Sequence, residues 1–236
     1  SALRFCLEGE GGVTSVDGER TTMHRGDFII TPFWTWHDHK HEGTDPVIWL
    51  DGLDVPLVTA LCAGFREEHS EEAQEITRPE GDALARYGNG LLPMGQEGTH
   101  TSPVFSYPFD RTRDTLERMA NSGPVDPHHG IALRYINPTN GDWAIPTIGS
   151  TMRLFPKGFE SRSYRAMSSE VVVALEGTLE IAVGDEDFVA LTHNDVFSIP
   201  GWSKVRFRSP KDDAVAFTFS DRPVHEKLGL FREVKG

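Results

Sequence analysis

Three histidines alternate in the run Thr35-Trp36-His37-Asp38-His39-Lys40-His41. Residues two apart on an extended strand share a face, so His37, His39 and His41 would all point inward only if that strand were regular and its interior polar. Imidazole nitrogens so placed suit Fe(II), Zn(II), Cu(II) or Mn(II). Trp34 and Trp36 flank the histidines and are expected to wall them off from water, which strengthens metal and anion contacts. An isolated histidine near a strand end is ordinarily solvated. The clustering with aromatic residues instead points to a functional role for at least one of His37 and His39. His69, His100, His128, His129, His193 and His225 are expected to face solvent, and the adjacent pair His128-His129 would point to opposite sides of an extended chain.

The elements that must hold these residues are strands. From Leu3 to Asp51, runs rich in Val, Ile, Thr and Phe are separated by Glu8-Gly9-Glu10-Gly11-Gly12, Asp17-Gly18 and Arg25-Gly26-Asp27. Glycine supplies the positive φ that such turns need, and regular spacing of short strands and turns implies a sandwich or barrel. Pro56 to Phe65, stopping at Gly64, reads as a short helix, and a second is expected over Thr112 to Ala120. Residues 66 to 103, with Glu67, Glu68, Glu71 and Glu72, read as a long surface connection within which Leu91-Leu92-Pro93-Met94 should bury something.

The chain also repeats itself. A constant offset of 168 carries Glu8-Gly9 onto Glu176-Gly177, Asp27 onto Asp195, Pro32 onto Pro200 and Trp34 onto Trp202 without a gap. Two copies of one β module follow. At the same offset His37 and His39 become Val205 and Phe207, neither able to bind a metal, so only the first copy is expected to carry chemistry.

Bulk properties narrow the class. A 38% hydrophobic content with 14 Phe and 5 Trp excludes a disordered chain. The net charge of −13 disfavours nucleic acid, whose binding depends on Lys and Arg displacing counterions. Two cysteines, Cys6 and Cys62, are too few for a disulfide framework and suggest a reducing, cytoplasmic setting. No apolar run reaches membrane-spanning length, so no membrane association is expected.

The run Gly26-Asp27-Phe28-Ile29-Ile30-Thr31-Pro32-Phe33-Trp34-Thr35-Trp36-His37-Asp38-His39 resembles the second cupin motif as gentisate 1,2-dioxygenases carry it. Trp49-Leu50-Asp51-Gly52-Leu53-Asp54-Val55-Pro56, Thr77-Arg78-Pro79-Glu80, Ala85-Arg86-Tyr87-Gly88 and Tyr107-Pro108-Phe109 extend the resemblance through nearly the whole chain. It implies an all-β bicupin: two double-stranded β-helix (jelly-roll) barrels with a few short helices. Residues 1–65 would be the C-terminal portion of a metal-binding first barrel, 66–130 a connecting region, 131–222 a second barrel without metal, and 223–236 a tail.

In that family three histidines bind one Fe(II), and His37 matches the third. The other two, a His-x-His pair, are expected upstream of Ser1, so the first barrel is expected to be N-terminally incomplete in this chain; a barrel missing its opening strands would leave the edge of Leu3 to Leu7 unpaired, which favours their presence in the intact protein. The resemblance further implies Arg4, His39 and Trp36 as substrate-binding residues and His39 with Asp51 as catalytic ones, Arg4 offering a two-pronged guanidinium to a carboxylate. The expected substrates are a small hydroxylated aromatic acid and dioxygen, and the expected assembly is a homotetramer.

Overall fold

The computed structural model describes all 236 residues. Two compact units arise: Ser1–Phe109 with Ile136–Ile145, and Asp110–Tyr135 with Pro146–Gly236. The first holds β1 (Ala2–Glu8), β2 (Gly12–Val16), β3 (Glu19–Met23), β4 (Phe28–Thr31), β5 (His37–His41), β6 (Ile48–Leu53), helices α1 (Val55–Ala60) and α2 (Asp82–Tyr87), and β7 (Ser106–Tyr107). These form a sheet of order β6-β1-β4-β7 and a second of order β3-β2-β5, all pairs antiparallel.

The second unit contains most of α3 (Phe109–Ser122), then β8 (Ile131–Arg134), β9 (Gly149–Phe155), β10 (Phe159–Glu160), β11 (Tyr164–Ala166), β12 (Glu170–Glu176), β13 (Leu179–Val183), β14 (Val189–Leu191), β15 (Val196–Ile199), β16 (Val205–Ser209), β17 (Ala214–Ser220), α4 (Arg222–Lys227) and β18 (Glu233–Lys235). Its sheets run β15-β12-β17-β9-β8 and β14-β13-β16-β11-β18. The fold is all-β with a few short helices, as expected.

The internal repeat holds at the level of backbone conformation. β1 and β12, β4 and β15, and β5 and β16 correspond residue for residue at the offset of 168. Each copy carries its β-bulge at the same place, between Cys6 and Glu8 in one and Ala174 and Glu176 in the other. Gly26 and Asn194 take left-handed φ of 84° and 65°, and Trp34 and Trp202 take 60° and 64°. A tryptophan at positive φ is sterically costly, so the same outlier in both copies marks a bend that the barrel geometry requires. Glycine is needed at the Glu-Gly turns, because a Cβ would lie 2.3 Å from the Pro46 carbonyl oxygen at Gly9 and 2.1 Å from that of Asp213 at Gly177.

Apolar faces close each core. Leu3, Phe5, Met23, Phe28 and Ile30 are fully buried in the first unit. In the second, Phe155 stacks on Phe207 with centroids 5.3 Å apart, amid Val172, Ile181 and Val205. Each such side chain contributes roughly 1.5–3 kcal/mol by leaving water. The positions matching His37 and His39 are therefore filled with core hydrocarbon.

Several expectations need correction. The edge at Leu3 to Leu7 is not unpaired, because β1 is flanked by β4 and β6. Helix α1 stops at Ala60 rather than running to Gly64, since Cys62 adopts φ 52° and turns the chain left-handed, with Ala63 N–H reaching back to the Val58 carbonyl. Helix α3 extends beyond both expected ends, and α2 and α4 were not anticipated. Leu91, Leu92 and Met94 bury little, Met94 being fully exposed. They sit in a turn bounded by Gly90 and Gly95, both at positive φ, which carries the run outward. His128 is buried rather than solvent-facing, with its N–H on Asp126 and its Nε2 3.3 Å from the Gly236 carbonyl.

Candidate functional site

The three histidines lie on β5, paired along β2: His37 opposite Val16, His39 opposite Thr14 and His41 opposite Gly12. Strand alternation puts His37 and His39 on one face, and their ring centroids are 5.4 Å apart. That face looks toward β1 and β6, because His39 reaches Arg4 of β1 and lies 6.2 Å from the ring of Trp49 on β6. Both imidazoles keep solvent access.

Arg4 is the hub. It pairs across the β1–β6 ladder with Asp51, and its Nε and Nη2 donate to the two Asp51 carboxylate oxygens at 2.9 and 3.0 Å. The remaining donor, Nη1, lies 2.7 Å from the ring nitrogens of His39 and 3.4 Å from Thr14 Oγ1. The guanidinium carbon sits 4.8 Å over the Trp49 ring, adding a cation–π contact. Sequence reasoning reserved the guanidinium fork for a substrate carboxylate. Asp51 occupies it instead, since two facing residues of an antiparallel pair are close enough to lock in a planar, charge-assisted pair.

Electrostatics follow from that packing. Although part of the ring is open to water, burial of its nitrogens, then the Arg4 cation and His37 beside it, hold the His39 imidazole down to about 4, so the ring is neutral at ordinary pH. A neutral imidazole offers one lone pair and one N–H, so it can both accept and donate a hydrogen bond.

The expected dry wall is absent. Trp34 is 81% exposed and packs on Phe65 at 5.0 Å, and Trp36 meets His69 edge-on at 4.9 Å. The left-handed bend at Trp34 turns that ring off the strand face. Trp49 and Thr14 lie against the His39 imidazole instead, and Thr14 Oγ1 in turn reaches Met23 Sδ at 3.5 Å.

Two contributors escaped sequence reasoning. Thr14 is fully buried opposite His39, a placement that only the strand register reveals. Gln74, in the glutamate-rich connection, brackets His37. Its amide donates to the carbonyls of Ser15 and Trp36 at 3.2 and 3.4 Å, and its backbone N–H donates to the Asp38 carboxylate at 3.1 Å. No pattern in the surrounding residues marks it.

As a metal donor His37 is chemically suited, being an accessible imidazole on the face shared with Arg4, His39 and Asp51. Residues 1–236 do not complete a metal site alone, since no three His, Cys, Asp or Glu side chains converge. No helix is long and apolar enough to cross a membrane.

Comparison with known proteins places this geometry in context. Residues 1–54 match the family model described as a cupin domain. Over 99% of its length the chain is 47% identical to "Gentisate 1,2 dioxygenase 1" of Aquipseudomonas alcaligenes, covering 67% of that protein. It is 37% identical, over its full length and 67% of the relative, to a gentisate 1,2-dioxygenase of Streptomyces sp.. The chain thus spans about two thirds of the length of these relatives. The crystal structure of salicylate 1,2-dioxygenase from Pseudoaminobacter salicylatoxidans with gentisate superposes with a TM-score of 0.90 at 29% identity, over 99% of this chain and 66% of that one.

Proposed function

The chain belongs to the gentisate 1,2-dioxygenase family of ring-cleaving cupin dioxygenases, and from that premise we propose that it opens the ring of gentisate with dioxygen to give maleylpyruvate. The bond broken joins the carboxyl-bearing carbon to its hydroxylated neighbour, and both oxygen atoms enter the product. The single observation that carries the reading is the cluster of Arg4, Asp51 and neutral His39 beside His37, in a chain 47% identical to a gentisate dioxygenase.

Cupin dioxygenases of this family are metal-dependent, and we assign iron(II), with His37 as its ligand in this chain. Bound iron would supply the Lewis-acid and redox chemistry that activates dioxygen toward the ring. The chain's other residues would orient substrate and hold protons. Arg4, held by Asp51 through Nε and Nη2 and by His39 and Thr14 through Nη1, would supply the positive charge that attracts the substrate carboxylate. The ring of His39, held neutral, would be the catalytic partner that hydrogen-bonds and orients a substrate hydroxyl. Asp51 would act through Arg4, fixing the guanidinium plane. Trp36 would contact the substrate at the rim. We further assign a homotetrameric, cytoplasmic enzyme.

Oxygen uptake by the intact, iron-loaded protein with gentisate tests the reading. Uptake with stoichiometric ring-opened product is expected, with salicylate and 1-hydroxy-2-naphthoate as slower substrates. If none of these acids supports uptake, catalysis is refuted and a non-catalytic bicupin that binds an aromatic acid takes its place.

A further inference from the structure

From Leu61 to Thr77 every residue is exposed except Gln74, the one side chain of that glutamate-rich connection that packing covers. Its amide fits in one orientation only. Oε1 accepts from the Gly18 N–H at 2.6 Å, while Nε2 donates to the carbonyls of Ser15 on β2 and of Trp36 just ahead of β5 at 3.2 and 3.4 Å. A flipped amide would set its NH2 against an N–H and its oxygen against two carbonyls. The Trp36 carbonyl also accepts from the Asp17 N–H at 3.0 Å, so both of its lone pairs are used. The Gln74 backbone adds a fourth tie, its N–H donating to the Asp38 carboxylate at 3.1 Å.

These partners surround His37. Trp36 precedes it and Asp38 follows it, and strand alternation turns the Asp38 side chain to the face opposite His37 and His39. Gln74 therefore grips β5 from behind, at the residues on either side of the imidazole. It joins them to Ser15 and Gly18, which stand on either side of the Val16 that pairs with His37. Three residues later, the N–H groups of Thr77 and Arg78 both donate to the Gly18 carbonyl, at 2.9 and 3.0 Å, which fixes the far end of the grip. The strand needs such support, because it leaves a left-handed bend at Trp34, a costly conformation that persists only where its surroundings hold it.

We propose that Gln74 is a positioning residue for the iron site: it fixes the backbone of β5 at His37, so that the imidazole is presented already ordered. The consequence for iron rests on the reading of His37 as a ligand, whereas the fixing of the strand does not. No step of the chemistry passes through Gln74.

Gln74→Glu tests this in the intact protein, since it keeps the length and the acceptor for Gly18 but puts an oxygen where two carbonyls need a donor. The added negative charge alone would attract Fe(II), so charge and geometry call for opposite changes in affinity. Without metal, amide exchange of residues 36–39 should speed up at least about tenfold in Gln74→Glu, with residues 172–174 of the second core unchanged. The iron(II) dissociation constant, read by competition with a chelator, should rise about tenfold to a hundredfold, a loss typical of groups that orient a metal ligand. Gln74→Met, similar in shape without a donor, should behave alike, and Glu72→Gln in the exposed part of the same connection should match wild type. A residue that merely secured the connection would loosen residues 66–75 and leave residues 36–39 and iron affinity as they were. Unchanged exchange at residues 36–39, or iron held as tightly as or more tightly than in wild type, overturns the proposal. A wild-type protein that binds no iron, or a His37→Ala variant that binds it equally well, overturns the assignment of His37 instead, and the exchange rates still decide what Gln74 does. Should Gln74→Glu fail to fold, Gln74→Met carries both measurements.

Discussion

Replacing Asp51 by Asn removes the anion that holds Arg4 while keeping nearly the same volume. Arg4 is 8% exposed, and two of its donors end on Asp51 oxygens at 2.9 and 3.0 Å. Breaking a fully buried ion pair by removing one partner costs about 3–5 kcal/mol, and exposed pairs contribute about 0–1 kcal/mol. The Asp51 side chain is 34% exposed, so this pair falls between those limits. A cost of about 2 kcal/mol follows, in line with hydrogen bonds to charged groups. For a urea dependence of about 2 kcal/mol per molar, that moves the unfolding midpoint of Asp51→Asn down by about 1 M. The freed guanidinium also ceases to fix the His39 ring, and the same 2 kcal/mol applied to transition-state stabilisation lowers kcat/KM for gentisate about thirtyfold. Urea titration followed by tryptophan fluorescence, together with oxygen uptake, reads both. A midpoint within about 0.2 M of wild type and an unchanged kcat/KM would refute the view that Asp51 works by holding Arg4.

Three further outcomes are expected. Gly177→Ala should destabilise by roughly 3 kcal/mol, because its Cβ would lie 2.1 Å from the Asp213 carbonyl oxygen at φ +65°, whereas Gly158→Ala, at φ +81° with open space around it, should cost only about 1 kcal/mol; equal thermal shifts would contradict the steric account. Cys6 is fully buried, and burial, followed by the neighbouring Asp27 carboxylate, pushes its thiol up to about 11, so at pH 8 iodoacetamide should label only the exposed Cys62, as peptide mass mapping would show. The hydrogen bond from His129 holds the Glu233 carboxyl below its usual 4.5, so its stabilisation of β18 is present above that pH and is lost as pH falls through the depressed value. Amide exchange of Glu233–Lys235, corrected for intrinsic rates, should therefore accelerate in acid, and an identical profile in Glu233→Gln would rule this out.

Much of the architecture was legible in the residues. Turn glycines, alternating strands and the offset of 168 disclose a duplicated all-β chain because each is a local property: a φ sign, a two-residue period or a recurring bend. The same offset shows that Val205 and Phe207 replace the histidines of the first copy, and they fill the second core. The Trp-His-Asp-His run and its resemblance to gentisate dioxygenases likewise needed only neighbouring residues. Partnership across strands was not legible. That Asp51 fills the guanidinium fork of Arg4, that Thr14 meets His39, and that Gln74 straps the strand on either side of His37 depend on ladders and loops joining residues tens of positions apart. The direction of Trp34 and Trp36 depended on a left-handed bend that overrides strand alternation. Residue type and spacing state which groups can do chemistry; register and packing decide which partner each donor meets, because hydrogen bonds are satisfied in three dimensions and not along the chain.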